Sequence, residues 1–133
     1  MTAPITDPLA RLVADESEMN REVLASVLAD KVRLDLGRGS FTFLQGVRAR
    51  LGGRGLVVTA LLAQQALHLL QDRHPAGLAP RELEFTTGIP GGTLRPILKR
   101  LADRGLARKD ETGVYTVPGY VLEDVAREFN EEE

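Results

Sequence analysis

The chain has no cysteine and no tryptophan, and its aromatic side chains are two tyrosines and four phenylalanines among 133 residues. Without cysteine there is no disulfide framework, no thiolate metal site and no thiol redox chemistry. Long hydrophobic runs are missing too. The longest, Leu56 to Leu70, is interrupted by Thr59, Gln64, Gln65 and His68, and falls short of the roughly 20 residues that cross a bilayer. It reads as a buried helix. The N-terminus lacks a basic segment followed by an apolar one, so a cytoplasmic protein is expected, with no membrane partner. The two histidines, His68 and His74, stand six residues apart without metal-ligand spacing, and neither a metal nor another cofactor is expected. Gly52-Gly53-Arg54-Gly55 lacks the Lys-Ser/Thr of a phosphate-binding loop and reads as a hinge or tight turn. Glu82 and Glu84, two apart on a helix, cannot face each other. No catalytic constellation emerges, and the chain is not read as an enzyme.

What is present is a helical periodicity and an uneven charge. Residues 1–16 carry Pro4, Pro8 and several acids and read as a flexible N-terminus. In residues 17–53, Ser17 suits an N-cap, and a helix over Asn20–Ala29 has the apolar stripe Val23, Leu24, Val27, Leu28. Val32, Leu34 and Leu36 alternate with polar residues, Gly37-Arg38-Gly39 turns the chain, and Phe41-Thr42-Phe43 alternates again, predicting a hairpin. Leu44, Val47 and Leu51 suggest a short helix. A helix from Leu56 to about Asp72 is apolar nearly all round, so it needs cover on more than one side.

Residues 78–117 follow with the order helix, turn, helix, β-ribbon. Pro80 suits a first helical position, Leu83 with Phe85 supplies apolar residues, and Thr87-Gly88 turns the chain. Leu94, Ile97, Leu98 and Leu101 form one stripe at i, i+3, i+4, i+7, and Gly105 sits where a helix ends. Leu106–Lys109 and Val114–Val117 flank the turn-rich Asp110-Glu111-Thr112-Gly113. In this pattern the segment GIPGGTLRPILKRLADRGLARKDETGVYTV resembles the winged-helix transcription factors of bacteria and archaea. Gly91-Gly92-Thr93 opens the second helix, Leu98 to Leu101 forms its core, and Arg104-Gly105-Leu106 leads into the wing. The likeness covers about Leu56 to Phe129. Pro96 departs from it, since a proline inside that helix removes a backbone donor and implies a late start near Thr93 or a bend.

The resemblance implies a mainly α fold with small β elements. A winged helix-turn-helix core over 54–118 would follow an N-terminal helix-hairpin extension over 17–53 and precede a C-terminal helix with an acidic tail over 119–133. The net charge of −2 hides a segregation, because Ile89 to Lys109 holds six cations (Arg95, Lys99, Arg100, Arg104, Arg108, Lys109) against the single acid Asp103. A one-faced positive surface is what a nucleic-acid partner requires. With the Leu stripe turned inward, Gly92, Pro96, Lys99 and Asp103 centre the outward face, flanked by Thr93, Arg95 and Arg100. Gly91 and Gly92 would bring bare N–H groups to a phosphate, Arg95 would read guanine, and Lys99 and Arg100 would meet bases or phosphates. Arg81, Arg108 and Lys109 would hold neighbouring phosphates. Asp103 should stay off the DNA.

The function expected is sequence-specific binding of double-stranded DNA by a small transcriptional regulator. Its competitor is a winged-helix interaction module within a larger assembly, since one fold serves both uses. A homodimer is expected because one such module reads few base pairs. Val121, Leu122, Val125 and Phe129 on the last helix are the expected contact.

Overall fold

The computed structural model describes residues 8–12 and 18–131. A 3-10 turn, Pro8–Leu12, lies within the segment read as flexible, and Ser17 lies outside the described residues. Helix α1, Arg21–Leu28, is capped by Asn20, whose side chain accepts the amides of Glu22 and Val23 at 3.0 and 3.1 Å. Strands β1, Val32–Asp35, and β2, Ser40–Phe43, form the expected antiparallel hairpin, with Val32 opposite Phe43 and Asp35 opposite Ser40. Helix α2, Val47–Arg50, follows. Lys31 is buried at the end of α1, where its ammonium donates to the Val27 carbonyl at 2.9 Å and meets Asp30 at 3.1 Å. A cation is favourable at that helix end, and this one also answers a terminal carbonyl.

Helix α3, Gly53–Leu70, is the axis of the molecule. Every residue from Gly55 to Leu67 is buried, as an all-round apolar helix demands, because α1, α4, α5 and the first hairpin pack around it. Its start corrects the reading of Gly52-Gly53-Arg54-Gly55 as a hinge: Gly52 is the N-cap, and the next three residues are the first turn. Gly53 allows close packing there, since a Cβ on it would stand 2.9 Å from Ile97 Cδ1. Gln65, buried within α3, exchanges two hydrogen bonds with the Val117 backbone at 2.7 and 2.8 Å. Polar side chains survive in this core because they are paired.

Helix α4, Pro80–Thr87, and helix α5, Gly91–Asp103, are joined by Gly88-Ile89-Pro90, with Gly88 at φ +77°. Leu83 is fully buried, but Phe85 is 90 % exposed. The two apolar residues of this helix part for a geometric reason: two helical steps turn about 200°, so both cannot face one core. In α5 the stripe holds as expected, with Leu94, Leu98 and Leu101 buried and Ile97 half-buried. The helix starts at Gly91, not late near Thr93, and continues through Pro96 to Asp103. It ends on Gly105 at φ +75°, and the Leu106 and Gly105 amides return to the carbonyls of Leu101 and Ala102 at 2.9 and 3.0 Å.

Strands β3, Arg108–Lys109, and β4, Tyr115–Thr116, form a second short antiparallel hairpin, and Leu78 bridges to Tyr115 on its other side. That bridge depends on Gly77, where a Cβ would lie 2.5 Å from the Tyr115 carbonyl oxygen. A 3-10 turn, Gly119–Val121, leads into helix α6, Leu122–Glu131, which packs on α1. The fold is therefore mainly helical with two small antiparallel sheets, and one apolar cluster runs from Leu24 to Val125. Among the described residues no helix is long and apolar enough to cross a membrane.

The stripe expected to join two subunits is instead part of that cluster. Leu122 is 1 % exposed and Val125 0 %, while Val121 is half-buried against the same core. An amphipathic helix buries its apolar face wherever the nearest unpaired apolar surface lies, and α1 offers one in the same chain. The Phe129 side chain lies outside what the structure describes.

Candidate nucleic-acid interface

Burying Leu94, Leu98 and Leu101 forces the rest of α5 outward. Gly92, Thr93, Arg95, Pro96, Lys99 and Arg100 are exposed, and Gly91 is half-buried. Lys99 lies 3.2 Å from Asp103 one turn on, a solvent-exposed pair with little net energy. Among the described residues the Arg95 and Arg100 side chains have no partner, nor do Arg81 on α4 and Lys109 on β3. Arg108 and Lys109 are both exposed on the second hairpin.

That hairpin is held in shape by its own turn. Asp110 accepts the Thr112 hydroxyl at 2.6 Å, the Thr112 amide at 2.8 Å and the Val114 amide at 3.0 Å, and Gly113 takes the left-handed φ of +87°. The Thr112 hydroxyl, followed by the Val114 amide, holds the Asp110 carboxyl below its ordinary value. The cations of β3 are thus presented on a turn fixed by local bonds.

Three features escaped the sequence. Glu84 stands beside the start of α5, where a Cβ on Gly91 would meet its carboxylate oxygen at 2.9 Å. The helix start expected to suit a phosphate therefore has an anion next to it, drawn by the same dipole. At the other end, Arg104 grips Glu128 of α6 with two hydrogen bonds of 3.0 and 2.9 Å, and Arg54 of α3 meets the same carboxylate at 3.1 Å. Arg104's hydrogen bonds outweigh the opposing desolvation and, with the charges of Arg104 and Arg54, keep the Glu128 carboxyl below its usual range. Arg54, Arg100 and Arg104 thereby line one hollow of about 300 Å³ at the back of α5. Finally, Arg81 does not sit with the α5 cations alone: it lines a groove between β2 and α4. Periodicity along one helix carries none of these contacts, which join residues far apart in the chain.

The site offers exposed guanidinium and ammonium groups on a rigid helix and an adjoining ribbon, suited to a polyanion. Comparison with protein-family models, with curated proteins and with solved structures finds no match to this chain.

Proposed function

We propose that this protein binds double-stranded DNA sequence-specifically as a small transcriptional regulator, with α4 and α5 as a helix-turn-helix and β3–β4 as its wing. The observation that carries this reading is the division of α5: its leucines face the core while Arg95, Lys99 and Arg100 all face solvent, next to a ribbon bearing Arg108 and Lys109. In this reading α5 enters the major groove, Arg95 reads a base, and Arg81, Arg108 and Lys109 hold phosphates. The regulator acts as a two-fold dimer, which doubles an otherwise short reading frame. Its contact lies on surface other than Leu122 and Val125.

Fluorescence anisotropy on duplex DNA across a salt series tests this. A dimer neutralising roughly 6–10 phosphates gives log K falling with log salt at a slope of about −5 to −9, and a slope near zero overturns the proposal. Arg95→Ala should cost about 1–3 kcal/mol on the preferred sequence and relax specificity, whereas Lys109→Ala should weaken all sequences alike.

A further inference from the structure

The first hairpin leaves one edge open. The Leu44 amide bonds the Lys31 carbonyl at 2.8 Å, and the ladder continues with Val32 opposite Phe43 and Leu34 opposite Phe41. Hydrogen-bonded pairs alternate along an antiparallel ladder, so Phe41 and Phe43 point their N–H and C=O groups away from β1. Among the described residues no backbone or side-chain bond meets them there. Gly39, Ser40, Phe41, Thr42 and Phe43 all line the groove of about 870 Å³ that separates β2 from α4. Successive strand residues face opposite sides of a sheet, so five in a row can border one groove only if it runs along the strand edge.

The facing wall is α4, presenting Arg81, Glu82, Phe85 and Thr86. Phe85, 90 % exposed, stands on this wall with no core to enter. The Glu82 carboxylate is engaged by the Ala79 amide at 2.8 Å, while Arg81 has no partner among the described residues. Arg48 lies over the Phe43 ring at 5.1 Å and donates to the Thr86 and Thr87 carbonyls, tying α2 to the end of α4. The groove is therefore open along its backbone edge, aromatic on its flanks and positive on balance. Natural edge strands are usually blunted by charge or proline, and Ser-Phe-Thr-Phe has neither.

We propose that this groove takes an extended peptide segment of a protein partner, which adds to β2 as a third strand, sets an apolar side chain against Phe85 and places an acidic residue at Arg81. Strand addition beside a helix uses main-chain hydrogen bonds for affinity and the flanking pockets for selection. A second folded copy does not suit the site, because its own α4 faces its own β2 edge and would enter the same space. The inference rests on the hairpin and α4; it shares Arg81 with the DNA reading, whereas Phe85 and the β2 edge belong to it alone.

The test pans a phage-displayed library of random 12-residue peptides on the full chain and measures the enriched peptides by anisotropy and by amide shifts. Enriched sequences should pair an apolar residue with Asp or Glu, and should move the amides of Phe41 and Phe43. N-methylation of every second peptide amide should abolish binding in one phase and spare it in the other, as a strand with one bonded edge requires. Phe85→Ala and Arg81→Glu should each lower affinity about tenfold, the loss of one buried contact of about 1.4 kcal/mol. Phe85→Ala should keep the urea midpoint and any DNA binding of the wild type. The proposal is overturned if no peptide is enriched over a Phe85→Asp control. It is equally overturned if both methylation phases bind alike, or if the chain doubles its mass and protects the Phe41 and Phe43 amides in the absence of peptide.

Discussion

Helices α5 and α6 are built on the same plan and turn opposite charges outward. Each has one buried stripe, Leu94, Leu98 and Leu101 in α5 and Leu122 and Val125 in α6, and both stripes end in the same core. Their outward faces differ in sign: Arg95, Lys99 and Arg100 on one, Glu123, Asp124 and Glu128 on the other. The two meet where Arg104 holds Glu128. An apolar stripe thus says that a helix is covered, whereas the polar face says what it can meet.

The sharpest way to break this comparison is to charge both stripes. Val125→Asp should cost about 3–5 kcal/mol in urea unfolding, as an unpaired charge in a closed core does. If it left the midpoint unchanged and altered only the mass in solution, α6 would be an intermolecular element after all. Leu98→Ala should cost about 2–5 kcal/mol by the cavity it leaves, placing the two helices on one footing.

Charge reversal on the outward faces should separate them again. Arg95→Glu with Arg100→Glu should change stability by less than about 0.5 kcal/mol, since neither side chain has a partner to lose, yet abolish DNA binding in the salt-series assay. Glu123→Lys with Asp124→Lys should cost about 0.3–1 kcal/mol per residue, because both lie in the first turn of α6 where the helix dipole favours anions. Equal stability losses from the two double variants would argue against the division of roles.

The smallest effect belongs to the contact between the helices. Glu128→Gln should cost less than about 1 kcal/mol at neutral pH, because the carboxylate and both arginines remain partly in solvent. The Glu128 carboxyl is lowered from its ordinary 4.5, so its contribution is present above that pH and is lost as the pH falls through the lowered value. Urea midpoints of wild type and variant should therefore differ at pH 7 and converge in acid. A gap that persists in acid would assign the effect to packing.

Much of the fold was legible because it is local. The Asn20 to Ala29 helix, the hairpin turning at Gly37-Arg38-Gly39, the α5 stripe and the Gly105 stop all follow from spacing and from residues suited to special backbone angles. The errors cluster where a neighbour decides. Gly53 to Gly55 form the first turn of α3, where Ile97 lies close against Gly53, and Phe85 stays outside because α4 turns Leu83 inward. Of the candidate interface, the sequence supplied the cations and their outward side. It could not supply Glu84 beside Gly91 or Glu128 on Arg104 and Arg54.

By itself, the sequence determined most of the helices and the main turns between them, and that positive charge gathers between Ile89 and Lys109, because periodicity, capping and charge are properties of neighbours along the chain. Only the tertiary structure decided that α6 closes the core, that β2 keeps an open edge opposite Phe85, and that acids stand at both ends of α5. Those outcomes depend on which surfaces meet across dozens of residues, and burial is settled between whole elements rather than within one.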